Sequence, residues 1–429
     1  MAATVRISAE QRRNRLAKRH RLLPGTRTDD VAVLADDLLA LHSTDPVSVY
    51  LSAWARGAQP SRDTLEQALY VDRTLVRHHA MRRTLWVATP PMMRRMHLTT
   101  TARYAAAQHT RVIGMLTEGG IDDAATWLEA AKRDVLALLR SEGPMTARAV
   151  GLRIPALAHP LRLAVGTKYE GTQNAHSRVL LQLGFEAALV RTRPTGTWIN
   201  GQYTWAAMDA WLPGGLLRDG DLLRDGGPDD GSVSPDAERK AARELAELWL
   251  QRFGPGTTTD LQWWAGWTAT MTKRALVDIG AVPVDLDGLP GWVSADDPVL
   301  FGGTGSDRHP PQGNGPEGHE PGQPWVAVLP GLDPTVMGWK QRDWYLPTSA
   351  VAAFDSNGNA GPTIWVDGQV VGGWLQTKDG DLRVQWFSPP AADRRRQVQA
   401  RLDELQDWLG PTRFAVRFPA PFARQQPSA

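Results

Sequence analysis

The sequence predicts an α+β protein with three tandem winged helix-turn-helix modules followed by a small C-terminal antiparallel β-barrel. Two observations support this fold class. Helices followed by a strand hairpin occur three times along the chain, and after the third hairpin the pattern changes to short strands joined by tight turns. The predicted boundaries are 8–90, 120–212 and 235–300 for the modules, 303–324 for a flexible loop, and 325–429 for the barrel with its C-terminal helix.

The first module begins with three predicted helices. Apolar residues at helical spacing predict a helix over 31–41, with Thr28 and Asp29 as candidate N-terminal caps. A second helix is expected to open at Pro46, because proline at the first helical position loses no hydrogen bond. Residues 64–70 complete the set. The polar segment between the first two helices is therefore expected to sit at a helix start.

A basic hairpin follows these helices. Residues 75–81 and 84–88 are predicted to form two strands that turn at Arg82 and Arg83. Helices followed by such a hairpin are typical of a winged helix-turn-helix.

The second module repeats this order. An amphipathic helix is predicted over 127–140, a turn over 142–148 leads to a short helix, and a recognition helix is expected over 172–183. Residues 186–193 and 197–205 then form the second predicted wing.

The third module has helices over 236–252, 261–267 and 271–279, followed by strands at 281–286 and 291–294. Past the Gly/Pro-rich loop at 303–324, the barrel is assigned to strands at 325–329, 363–366, 369–376, 382–387 and 414–418, with a helix over 393–409.

Composition limits the class of protein. The chain has 429 residues, 48 Lys+Arg against 46 Asp+Glu, and no cysteine, which excludes disulfides and thiolate zinc sites. No apolar run reaches the roughly 18 residues that span a bilayer, and residues 1–21 lack the apolar core of a signal peptide. We expect a cytoplasmic monomer without membrane association, in which any binding of nucleic acid depends on local basic clusters.

Several motifs, in order, resemble the winged-helix alkylpurine DNA glycosylases of the AlkZ/YcaQ type. They are Leu41-His42-Ser43-Thr44-Asp45-Pro46 with Tyr50, Leu51, Trp54 and Arg56, the stretch 77–86, Phe253-Gly254-Pro255 with Asp260 and Trp264, residues 329–334 with Arg342, and residues 358–374. The resemblance implies three winged helices and a barrel around a DNA channel, double-stranded DNA as the partner, no cofactor, and excision of alkylated or crosslinked purines.

The chain departs from this family at the catalytic motif. Where the family has Gln-x-Gln or Gln-x-Asp, this sequence has His42 and Thr44, and Asp45 follows. The resemblance implies that His42 and Thr44 are catalytic, and Asp45 is a third candidate because it is adjacent and negatively charged. Histidine can hold a water molecule and also accept its proton, a nearby carboxylate can stabilise a sugar cation, and threonine can orient the water. The structural alternatives are a buried or capping histidine and helix caps at Thr44 and Asp45.

Basic side chains on the predicted wings and helices are candidates for DNA contacts. Phosphate contacts are assigned to Arg77, His79, Arg82, Arg83, Arg191, Arg193, Lys273 and Arg274. A metal site formed by His42, His78 and His79 is not expected, because no histidine or acidic pair has ligand spacing on a helix.

Two functions remain open from the sequence. The first is a monofunctional DNA glycosylase in which His42 positions or activates water. The second is a non-catalytic DNA-binding protein, such as a lesion sensor or transcription regulator, that has lost the family glutamines. A metal-dependent hydrolase has no supporting ligand set.

Overall fold

The computed structural model describes residues 5–163, 166–168, 170–222, 233–301 and 324–424. The predicted loop at 303–324 lies outside the described residues, apart from Pro324. The α-helices are, in chain order, α1 Ala9–Arg19, α2 Val31–Asp37, α3 Pro46–Arg56, α4 Arg62–Tyr70, α5 Pro90–Met96, α6 Ala102–Glu118, α7 Ala124–Glu142, α8 Ala147–Arg153, α9 Ala175–Phe185, α10 Met208–Trp211, α11 Pro235–Phe253, α12 Thr258–Ala265, α13 Ala269–Asp278, α14 Pro334–Met337, α15 Ala392–Leu409 and α16 Pro421–Arg424.

The β-strands are β1 Leu41–His42, β2 Val76–His79, β3 Leu85–Ala88, β4 Met145–Thr146, β5 Pro160–Leu163, β6 Gly171–Asn174, β7 Leu189–Pro194, β8 Tyr203–Ala207, β9 Val282–Leu286, β10 Leu289–Val293, β11 Val326–Leu329, β12 Thr363–Val366, β13 Gln369–Gln376 and β14 Leu382–Trp386. The mixture of helices and sheets confirms the α+β class.

The chain divides into two compact units, which are described separately. Unit 1 comprises Met1–Glu66 with Arg243–Ala429, and unit 2 comprises Gln67–Ala242. This division follows spatial contacts and differs from the repeat-based boundaries, which stay a prediction. Within the described residues, no helix combines the length and the apolar composition needed to cross a bilayer.

Unit 2 is built on an antiparallel sheet with the strand order β3-β2-β7-β8-β4. The first predicted hairpin is confirmed, since β2 pairs with β3, with Val76 opposite Ala88 and His79 opposite Leu85. Helices α6, α7, α8 and α9 contribute buried aliphatic side chains to one core, to which Leu189 and Trp205 of the sheet also belong. The sheet thus holds the basic residues of β2 and β7 in fixed register.

Unit 1 contains two separate sheets. The strands β9 and β10 form an antiparallel hairpin whose buried side chains pack against Ile7. The strands β11-β12-β13-β14 form a four-stranded antiparallel sheet. The predicted turn at Asp367-Gly368 is confirmed, because both residues have positive φ angles of 48° and 86°.

The predicted C-terminal barrel is wrong. The four-stranded sheet of the described residues is open, and residues 414–418 form no strand. Side chains take the place of a sheet ladder there: the Phe414 N–H donates to Gln376 Oε1 at 3.0 Å, and the Arg417 N–H donates to Asp45 Oδ2 at 3.1 Å. A segment whose amides are satisfied in this way does not pair with the sheet edge.

The first predicted helix is shorter than its apolar pattern suggests. Helix α2 ends at Asp37, because Leu39 adopts a left-handed conformation with φ 61° and breaks the helical hydrogen bonding. Its cap is Asp30, not Thr28 or Asp29: the Asp30 carboxylate accepts from the N–H groups of Ala32 and Val33, both at 3.0 Å. The chain is then extended through β1, so His42 does not lie on the helical stripe of α2.

The recognition helix of the second module starts later than the predicted residue 172. Residues 171–174 pair with β5 as strand β6, and α9 begins at Ala175, whose N–H donates to His159 O at 2.8 Å. In the second hairpin, strand β8 starts at Tyr203, because residues 197–200 form a turn. The hairpin itself and the third hairpin, β9–β10, are confirmed.

Candidate active site and nucleic-acid interface

The predicted catalytic segment lies between β1 and the N-terminus of α3. Pro46 is the first residue of this helix, as predicted, and Asp45 is its N-cap, since Asp45 Oδ1 accepts from the Val47 N–H at 3.3 Å. His42, Ser43 and Asp45 are buried, whereas Thr44 is half-buried. The segment therefore has a fixed backbone at a helix start.

The second oxygen of Asp45 meets the C-terminal segment of the chain, where Oδ2 accepts from the Arg417 N–H at 3.1 Å. Burial raises the pKa of Asp45, and the backbone hydrogen bonds from Arg417 and Val47 oppose this shift. Because its pKa is raised, this carboxylate binds a proton more readily than an ordinary aspartate. The capping interpretation is confirmed, and it does not exclude a second role for the negative charge.

The imidazole of His42 folds back on its own loop. Its Nδ1 lies 3.4 Å from the Thr44 backbone nitrogen, which donates to it. A neutral imidazole whose Nδ1 accepts carries its proton on Nε2, where it donates. In this tautomer the ring has one N–H donor, at Nε2.

Helix α3 is held in place by a polar stripe along one face. Ser48, Ser52 and Arg56 are spaced by four residues and are all buried. Ser48 Oγ donates to Gly331 O at 2.6 Å, and Ser52 Oγ donates to Asp333 Oδ2 at 2.8 Å. The stripe therefore fixes α3, and with it the Thr44-Asp45 segment, on the loop that precedes α14.

The end of this stripe is a buried ion pair. Arg56 and Asp333 are both fully buried, with Nη2 to Oδ1 at 2.7 Å and Nη1 to Oδ2 at 2.9 Å. Arg56 Nε also donates to His20 O at 2.9 Å, and Nη2 donates to Thr335 Oγ1 at 2.7 Å. Asp333 caps α14 through the Thr335 N–H at 2.9 Å. Each charge thus has the additional hydrogen bonds that a buried pair requires.

Two of the predicted DNA contacts are in the interior of unit 2. Arg77 is 2% exposed, donates to Tyr70 Oη at 2.9 Å and stacks on Tyr203 with 4.3 Å to the ring centroid. His79 is 5% exposed, and its ring lies 4.4 Å from that of Phe185. Burial lowers the pKa of His79 well below its usual range, so the ring is neutral. This burial contradicts a direct phosphate contact by either side chain, because both belong to a strand covered by aromatic residues.

The tip of the first hairpin carries two arginines in an uncommon backbone conformation. Arg82 and Arg83 have φ angles of 54° and 61°, which for non-glycine residues raise the local energy by roughly 1 kcal/mol or more. Arg83 is exposed and stacks over Tyr104 at 5.5 Å, whereas Arg82 is half-buried. The turn thus presents Arg83 to solvent.

The second hairpin of unit 2, β7–β8, carries two more of the predicted DNA-contacting arginines. Arg191 pairs directly with Arg77 across β2 and β7, is half-buried, and stacks over Trp205 at 4.7 Å. Arg193 lies two residues further, is exposed, and stacks over Tyr70 at 4.6 Å. Aromatic faces hold these cations in defined positions.

Lys273 and Arg274 lie on α13 of unit 1, and both are exposed. Thr270 and Val277 are exposed on the same helix, so the four residues recur at the helical spacing i, i+3, i+4 and i+7. Helix α13 begins at the cap Thr268, whose side chain accepts from the Met271 N–H. This face has the exposure that a nucleic-acid contact needs.

Two features of the site are not apparent in the sequence analysis. The spacing of Ser48, Ser52 and Arg56 could have indicated a polar face of α3, but not its partner Asp333. The contact of Arg417 with Asp45 joins residues 372 positions apart and has no local signal.

Comparisons with known proteins agree with this architecture. A protein-family description, DNA glycosylase AlkZ-like, matches residues 35–408. The solved structure of Streptomyces sahachiroi DNA glycosylase AlkZ superposes with a TM-score of 0.65 at 18% identity, covering 97% of this chain and 100% of that one. No curated protein sequence matches. Because the family match covers most of the sequence, including the His42–Asp45 segment and the Asp333 loop, the chain belongs to the AlkZ-like DNA glycosylase family.

Proposed function

We propose that the protein is a monofunctional DNA glycosylase that hydrolyses the N-glycosidic bond of N7-alkylated or crosslinked purines in double-stranded DNA. The main support is the position of His42, Thr44 and Asp45 at the capped start of α3, within the family match. The resemblance described above equates His42 and Thr44 with the family's glutamine motif. A cytoplasmic monomer without a cofactor fits this activity.

Departure of the alkylated base needs little help from a general acid. An N7-alkylated purine is already cationic, so the C1′–N9 bond can break with its electron pair moving to the base, leaving an oxocarbenium-like sugar. A water oxygen then bonds to C1′ and passes one of its protons to the surrounding water. The enzyme has to hold the water and stabilise the positive sugar.

The residues of the site have matching properties. In the tautomer described above, His42 donates from Nε2 to the water oxygen, and Thr44 orients the water from the same loop. The carboxylate of Asp45 places negative charge beside the helix start and can stabilise the sugar cation. Since Asp45 also caps α3, its position does not depend on the presence of DNA.

We also propose that the three hairpins β2–β3, β7–β8 and β9–β10 are the wings of three winged-helix modules. The exposed cations are the proposed phosphate contacts; they are Arg83, Arg193, Lys273 and Arg274. The half-buried Arg82 and Arg191 would add to the positive charge on the hairpins of unit 2. Such contacts are independent of base sequence and weaken strongly with salt.

The test is incubation of the protein with duplex DNA that carries N7-methylguanine or a larger N7 adduct, followed by cleavage at abasic sites and gel analysis. Release of the free base with an abasic site left behind supports the proposal. The replacement of the family glutamines by His42 and Thr44 favours one competing function, a non-catalytic lesion sensor or regulator. Tight binding of alkylated duplex without base release at any pH would establish that alternative.

A further inference from the structure

The C-terminal segment at 414–418 runs beside the proposed active site without joining a sheet. Val416 lies close to the loop before α14, since a Cβ built on Gly331 would be 3.5 Å from Val416 Cγ1. The next residue, Arg417, reaches the catalytic segment with both its backbone and its side chain. This part of unit 1 therefore brings one arginine to Thr44 and Asp45.

Arg417 makes two contacts with that segment. Its N–H donates to Asp45 Oδ2 at 3.1 Å, and its guanidinium Nη1 donates to Thr44 O at 3.2 Å. The side chain is exposed. Within the described part of the chain the guanidinium donates to Thr44 O through Nη1, so Nε and Nη2 can donate to an acceptor from outside the protein.

The geometry of a guanidinium selects the kind of acceptor. The N–H groups on Nε and Nη2 are parallel and match two oxygens of a phosphate or carboxylate. In a DNA glycosylase, the oxyanion closest to the scissile C1′ belongs to the phosphodiester backbone of the substrate. An arginine anchored at the catalytic loop can bind this group without approaching the base.

We propose that Arg417 is a positioning residue that binds a phosphate beside the damaged nucleotide and thereby sets the sugar against the Thr44-Asp45 segment. The proposal rests on the proposed function. The backbone N–H of Arg417 holds one oxygen of Asp45, and the side chain holds the Thr44 carbonyl and the phosphate. One residue thus links the proposed catalytic groups to the DNA backbone.

The test compares Arg417→Ala with Arg413→Ala. Arg413 is an exposed arginine immediately before this segment, and its guanidinium donates to the carbonyls of Asp379, Gly410 and Thr412 at 3.0, 3.1 and 3.2 Å. Both substitutions keep the backbone N–H, so the bond to Asp45 survives, and equal melting temperatures would show that both variants fold. Affinity for N7-methylguanine duplex is measured against salt concentration, and base release is measured under single turnover.

For Arg417→Ala, the slope of log affinity against log salt should fall by about 1, as for loss of one phosphate contact. The single-turnover rate should fall about 10-fold or more, because the sugar is no longer held in position. Arg417→Lys should restore the slope but not the full rate, since an ammonium cannot hold phosphate and carbonyl in the same fork geometry. Arg413→Ala should leave both quantities at wild-type values.

Identical salt slopes and rates for Arg417→Ala and Arg413→Ala would overturn the proposal. This result is distinguishable from failure of the proposed function, in which the wild-type protein binds the duplex and releases no base. The salt slopes still decide whether Arg417 contacts a phosphate in that case, because they need no catalysis.

Discussion

Removing the carboxylate of Asp333 should strongly destabilise unit 1. In Asp333→Ala, the fully buried guanidinium of Arg56 loses two charged hydrogen bonds of 2.7 and 2.9 Å. Ser52 Oγ and the Thr335 N–H lose their acceptor as well. Breaking a buried pair while leaving one charge behind is destabilising by roughly 3–5 kcal/mol. That is a large part of the roughly 5–15 kcal/mol by which a domain is stable.

Urea unfolding followed by tryptophan fluorescence measures this loss. The matched control is Asp209→Ala, which breaks the exposed pair with Arg140, held by three hydrogen bonds of 3.4, 3.1 and 2.8 Å. Because both side chains of that pair are 53% exposed, its loss should change stability by less than about 1 kcal/mol.

A double variant separates the pair from the isolated charge. Replacing both partners, as in Arg56→Met with Asp333→Leu, removes the uncompensated cation and should be less destabilising than Asp333→Ala alone. The reasoning is refuted if Asp333→Ala loses no more stability than Asp209→Ala.

Three further predictions follow from single contacts. Asp45→Asn should lower the free energy of unfolding by roughly 1–3 kcal/mol, because the amide nitrogen cannot accept from the Arg417 N–H; an unchanged melting curve would contradict this. Burial lowers the pKa of His97 to about 4, so the neutral ring stabilises unit 2 above pH 6.5, and about 3 kcal/mol is lost as the pH falls from 6.5 through 4. Urea titrations at several pH values check this, and His97→Gln should reduce the pH dependence by that amount, leaving the part due to His78 and His79, whose pKa values burial also lowers. Arg83→Ala should reduce the salt slope of DNA binding by about 1, whereas Arg77→Ala should chiefly lower the melting temperature, since Arg77 is 2% exposed; the opposite result would reverse their assignment.

The hairpins and most helices could be predicted because their signals are local. Strands β12 and β13 have the bounds that alternation and turn residues indicate. Helix α1 has no clear apolar pattern in the sequence, because its buried positions include Arg12 and Arg15. Arg15 is buried only because it pairs with Asp297 at 3.1 Å, 282 residues away. Such a partner cannot be read from spacing.

The candidate site shows the same limit. Its position at the start of α3 follows from Asp45-Pro46, a local capping signal that the structure bears out. The support beneath it depends on Asp333, 277 residues from Arg56. The barrel was expected from the strands and tight turns between 325 and 387, with 414–418 as a last strand, yet Asp45 accepts from one amide of that segment in place of a strand partner. Whether a backbone N–H bonds to a neighbouring strand or to a distant side chain depends on the tertiary structure and cannot be predicted from local sequence.

Asp45→Asn does not by itself test the role of the negative charge at the active site, even though asparagine is a good N-cap. It keeps an acceptor for the Val47 N–H but puts an amide donor against the Arg417 N–H. A rate loss in this variant combines altered charge with a displaced loop, so the role of the carboxylate has to be judged together with measured stability.

The most direct test of the central claim is single-turnover release of N7-methylguanine from duplex DNA by the wild-type protein and by His42→Ala. If His42 holds the attacking water, the variant should bind the duplex normally and release the base about 10²-fold more slowly, the typical contribution of such a group. His42→Gln should retain appreciable activity, because an amide can hold the water in the same way. Equal rates for wild type and His42→Ala would contradict the assignment, as would a wild-type protein that binds the lesion and releases nothing.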